Sequence, residues 1–85
     1  MRNFQSGIIC IVDRTPYVQV DFDGIHLNKD LVKTVLTDIH GVDHVNLNER
    51  GIDKHRAIVY PTTYCSSEAE MVELQKEINK TLSRL

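Results

Sequence analysis

Tryptophan is absent, aromatic residues make up only 6% of the chain, and 85 residues contain just two prolines and two cysteines. Two cysteines cannot build a disulfide framework, and Cys10 and Cys65 belong to no Cys-x-x-Cys pair, so both read as reduced structural thiols. A basic excess is missing too: ten Lys and Arg stand against twelve Asp and Glu, a net charge of −2. That balance removes the broad attraction behind non-specific nucleic-acid affinity, and it makes acidic membranes poor partners. No apolar run approaches the roughly 20 residues of a membrane helix, and Met1 to Gly7 lacks the apolar segment of a signal peptide. Phosphate-binding glycine loops and nucleophile motifs are likewise missing. These absences predict a cytoplasmic, non-enzymatic chain with no cofactor, no nucleic-acid partner and no membrane partner.

With 41% hydrophobic and 26% charged residues, the composition is that of a folding globular protein rather than a disordered one. A chain this short has surface enough for one core, so residues 1–85 read as a single α+β domain, with 1–6 as a candidate flexible segment. The β-branched run Gly7 to Asp13 predicts a first strand, apolar on both faces, that ends in the turn sequence Asp13-Arg14-Thr15-Pro16. Tyr17 to Asp23 then alternates, with Val18, Val20 and Phe22 on one face and Gln19, Asp21 and Asp23 on the other. The two strands make an antiparallel hairpin.

A helix follows. Asn28 is placed to cap it, Leu27 and Val32 to staple it, and Leu31, Val32, Val35, Leu36 and Ile39 share one face, with Gly41 at C′. His44 to Asn48 predicts a third strand, Asn48-Glu49-Arg50-Gly51 a turn, and Arg56 to Tyr60 a fourth strand ended by Pro61. Ser67-x-x-Glu70 opens a last helix with the stripe Met71, Leu74, Ile78, Leu82 and Leu85. The order ββαββα predicts a two-layer sandwich, a four-stranded sheet with two helices on one face. Its sheet order is 1-2-4-3, which is a ferredoxin-like fold whose last strand has moved to the N-terminus.

Leu31 to Val45, a helix followed by Gly41-Val42-Asp43-His44-Val45, resembles the helix-to-strand passage of heavy-metal-associated domains over about a fifth of the chain. The Cys-x-x-Cys that holds metal in that family has no counterpart here, so the resemblance implies no metal role.

The chemistry-bearing residues read as structural. His40 and His44 have the i, i+4 spacing of a helical metal pair, but Gly41 breaks the helix between them. His26 and His55 fall in or near turns, as exposed imidazoles. A metal set of His44, His55 and Cys65 is the remaining candidate, and no metal is expected. Asp21 and Asp23 lie about 7 Å apart on a wet strand face, where carboxylates are simply solvated. Arg50, Lys54, His55 and Arg56 form a local basic group with no aromatic stacking platform. Ser66 and Ser67 read as helix caps.

One feature exceeds a structural account. In the expected order the first strand is an edge, and its apolar run would invite another strand to pair with it. Ile9 and Ile11, with Tyr17 on the partner strand, are therefore the candidate interaction edge. The expected function is a homodimeric protein-protein interaction module with an unidentified protein partner. The alternative is a small-ligand or metal-sensing module whose site, lined by His and Asp, lies at the dimer interface.

Overall fold

A computed structural model describes residues 3–24, 26–62 and 67–85. The chain runs β1 (Phe4–Ile9), β2 (Tyr17–Asp23), α1 (Lys29–Thr37), β3 (Val42–Gly51), β4 (Lys54–Pro61) and α2 (Glu68–Ser83). The four strands form one sheet in the order β1-β2-β4-β3, with every neighbouring pair antiparallel. This is the α+β two-layer sandwich that the doubled strand-strand-helix order predicts.

Alternation decides which face is covered. Val18, Val20 and Phe22 of β2, Val45 of β3 and Ala57 and Val59 of β4 are all buried on one side of the sheet. Val32 and Leu36 of α1 and Met71, Leu74, Ile78 and Leu82 of α2 close the core from above. Each such side chain contributes about 1.5–3 kcal/mol by leaving water. The helices are distributed crosswise, since α1 lies over β3 while α2 lies over β1 and β2. No described helix is long and apolar enough to cross a membrane.

Several boundaries differ from the sequence reading. The first strand is Phe4–Ile9, not Gly7 to Asp13. Asp13 sits at φ 65° and the Arg14 N–H donates to the Ile11 carbonyl at 3.1 Å, so the chain is already turning at Ile11. Phe4 to Ser6, read from sequence as a candidate flexible segment, instead begin the strand. The Phe4 ring lies 6.4 Å from that of Phe22, and the Ser6 hydroxyl donates to Asn79 Oδ1 at 2.7 Å. The residues of β1 on the open side are Gln5, Gly7 and Ile9, so the strand is not apolar on both faces.

Helix α1 starts where Asn28 caps it, with Oδ1 accepting from the Leu31 N–H at 3.2 Å, but it stops at Thr37. Gly41, at φ 95°, therefore follows a short turn rather than occupying C′, and its carbonyl accepts from the Thr62 N–H at 2.9 Å. Leu31 is 47% exposed, not part of the buried stripe. Strand β3 runs through the expected turn at Asn48 to Gly51 and reverses instead at Ile52 and Asp53, where Asp53 takes φ 54°. A bulge between Glu49 and Gly51 accommodates the extra residue. Helix α2 is capped by Ser67 as expected, with Oγ accepting from the Glu70 N–H at 3.2 Å, but Leu85 lies beyond its end and is 43% exposed.

Candidate interaction surface on the open sheet face

The helices cover one side of the sheet, so among the described residues the other side is a free surface built from the alternate residues of the four strands. The register arranges it in rows. Ile9 of β1 pairs with Tyr17 of β2, and His44 of β3 pairs with Tyr60 of β4. The Tyr17 and Tyr60 rings lie 5.7 Å apart at 50°, and His44 stacks on Tyr60 at 4.4 Å and 18°. Asp43 Oδ2 lies 2.7 Å from His44 Nδ1 and fixes the imidazole in that stack. The result is a continuous strip, Ile9, Tyr17, Tyr60 and His44, across the full width of the sheet.

The next row is Gly7, Gln19, Ile58 and Asn46, and the one after it is Gln5, Asp21, Arg56 and Asn48. Arg56 Nε donates to Asp21 Oδ1 at 2.8 Å, and Gln19 Nε2 donates to the other carboxylate oxygen at 3.3 Å. The face thus passes from aromatic and apolar at one end to charged and paired at the other. Asp21 is held in that ion pair, and Asp23 lies two residues further along the same strand, bordering the same shallow surface depression.

At the aromatic end, the loop that joins Ile9 to Tyr17 carries Ile11, 45% exposed, and Val12, 86% exposed. The three candidate residues therefore fall at one end of the sheet. Ile9 and Tyr17 are cross-strand partners, whereas Ile11 belongs to the loop beside them and offers no strand edge. Cys10 in the same loop is exposed and free, and Cys65 lies outside the described residues.

The β1 edge itself is partly occupied. Because the Asp23 N–H donates to the Asn3 carbonyl, the alternation of an antiparallel ladder turns the backbone groups of Phe4, Ser6 and Ile8 outward. Gln75 of α2 reaches across and donates to the Ser6 carbonyl at 3.2 Å, and to its hydroxyl at 3.1 Å. A side chain thus takes the middle acceptor that an added strand would need.

His55 differs from its sequence reading as an exposed turn residue. It lies on the core side of β4 and is only 6% exposed, with Nδ1 buried and unpaired. Its Nε2 is 3.8 Å from Glu49 Oε1, which Lys29 Nζ holds at 3.0 Å. The Lys29 hydrogen bond, and then its charge, lower the Glu49 pKa below 4.5. His44 and His55 occupy opposite faces of the sheet, so the structure does not bring them together as a metal pair. Among the described residues no three His, Cys, Asp or Glu side chains cluster as a metal site. His26 and His40 are both exposed.

No protein family, curated protein or solved structure matches this chain. Sequence reasoning missed Tyr60, His44 and Ile58, because the alternation in β4 shows which residues share a side but not which strand lies next to it. Only the β2–β4 register sets Tyr60 beside Tyr17.

Proposed function

We propose that this chain is a cytoplasmic, non-enzymatic protein-interaction module that forms homodimers through the open face of its sheet. The observation that supports this most is the strip Ile9, Tyr17, Tyr60 and His44, three large rings and an aliphatic side chain on a face that no other layer covers among the described residues. Aromatic side chains of this kind anchor interfaces because they bury large areas at low entropic cost. Ile58 beside them, and Ile11 and Val12 in the adjoining loop, extend the apolar area. An exposed, unpaired Cys10 fits a reducing compartment.

Face packing is favoured over edge pairing, since Gln75 already occupies the middle of the β1 edge. Four strands of 6, 7, 10 and 8 residues, about 4.8 Å apart and rising about 3.3 Å per residue, give a face of about 490 Å². That is below the roughly 800 Å² per partner of a standard stable interface, so the dimer is expected to be weak and concentration-dependent. Light scattering from about 10 µM to about 1 mM tests the reading, with a micromolar dissociation constant expected. Tyr60→Lys should hold the chain monomeric throughout, since the charge would be buried without a partner within the aromatic strip. A wild-type chain that stays monomeric to the top of that range refutes self-association.

A further inference from the structure

A second surface lies on the opposite side of the molecule, where α1 and α2 leave an open groove of about 820 Å³ between them. Its lining includes the half-buried Val35 and Ile39 and the buried Leu74, with the small residues Ala69 and Gly41. Its rim is acidic. Asp38 stands at the end of α1, and Glu70, Glu73 and Glu77 recur along one side of α2 at helical spacing. Among the described residues no Lys or Arg lines the groove; four of the twelve carboxylates of the chain and His40 border one apolar channel, with Lys76 Nζ 3.5 Å from Glu73 Oε1.

We propose that this groove is a docking site for a basic amphipathic helix of a partner protein. The lining of α2 runs from Ala69 to Thr81, about 18 Å at 1.5 Å per residue, which matches a partner helix of about three turns. Such a helix would set apolar residues at i, i+3, i+4 and i+7 against Val35 and Ile39, and its flanking Lys and Arg would meet the carboxylate rim. Charge complementarity decides the occupant. A second copy docking groove to groove would set acidic rim against acidic rim, and the apolar stripes of both its helices are already buried in its own core. The site is separate from the sheet face, so it stands or falls independently of dimer formation.

The test uses two labelled 14-residue peptides of one amphipathic pattern, Leu with Lys and Leu with Glu, titrated by fluorescence anisotropy. The Lys peptide should bind saturably and more weakly as salt rises, while the Glu peptide does not. Backbone amide shifts should change along Val35, Ile39, Ala69, Glu73 and Glu77. The double reversal E73K/E77K should weaken the Lys peptide at least about tenfold and admit the Glu peptide, because rim charges set the preferred sign of the partner. The neutral pair E73Q/E77Q, which leaves α2 with good helix formers, should show the same loss at smaller size. The proposal is overturned if the Lys peptide shows no saturation by about 1 mM. Unchanged affinity in the charge variants, or amide shifts confined to the open sheet face, would overturn it equally. So would the same groove shifts appearing on concentrating the protein alone, since these would assign the groove to a second copy.

Discussion

One chemical change at two isoleucines separates the core from the proposed interface. Ile78 lies at the centre of α2 and is 0% exposed, whereas Ile58 lies on the open side of β4 between Gln19 and Asn46. Ile78→Ala removes buried atoms and leaves a cavity that its close-packed neighbours fill only in part, at a cost of about 2–5 kcal/mol. With about 4–8 °C of Tm per kcal/mol for a domain of this size, the melting temperature should fall by about 8 °C or more. Ile58→Ala, measured on dilute monomer, should cost less than about 1 kcal/mol, because no second layer packs on that face and water fills the space. The order reverses for self-association. In a two-fold dimer each substitution counts twice, so Ile58→Ala should raise the dimer dissociation constant about thirty-fold or more if each copy loses at least about 1 kcal/mol. Thermal denaturation at low concentration and sedimentation equilibrium at high concentration read the two quantities. Equal destabilisation of the dilute monomer by both substitutions would refute the face assignment, and with it the argument for a free sheet surface.

The helix caps give a second expectation: Asn28→Ala and Ser67→Ala each leave a first-turn N–H without its 3.2 Å acceptor and should each cost about 1 kcal/mol in thermal denaturation. Glu49 gives a pH expectation. Its folded pKa is lowered by Lys29, so its contribution to stability is present above its unfolded value of 4.5 and is lost as pH falls through the folded value. Glu49→Gln should therefore lower stability slightly near neutral pH and converge with the wild type in acid, as read by urea denaturation across that range. The effect is small because both side chains of the Lys29–Glu49 pair are largely in water.

The architecture was legible in the sequence because its signals were local and mutually consistent. Alternation in Tyr17 to Asp23, the cap at Asn28 and the capping sequence at Ser67 each act within a few residues, and each holds in the structure. The β1 boundaries were not legible. Apolar residues from Ile8 to Val12 form an unbroken run, and the turn that expels Ile11 and Val12 depends on a positive φ at Asp13, a residue that tolerates but does not require it. His55 shows a related limit. It reads as a turn residue, but β4 begins at Lys54, and the alternation of that strand then carries His55 to the core side. The open face was the least legible part. Tyr17 and Tyr60 are 43 residues apart, and nothing near either one indicates that their rings meet.

The crosswise seating of the two helices reaches beyond packing. The chain reads as two successive strand-strand-helix units, but the helix of each unit lies over strands of the other, α1 on β3 and α2 on β1 and β2. Neither unit can therefore finish its own core, and folding must be a single cooperative event in which both are present. The same interlock makes the units interchangeable between molecules. A chain severed near Gly41 would yield two fragments that are each incomplete yet complementary, and two intact chains could trade halves to build the same sandwiches as an entwined pair.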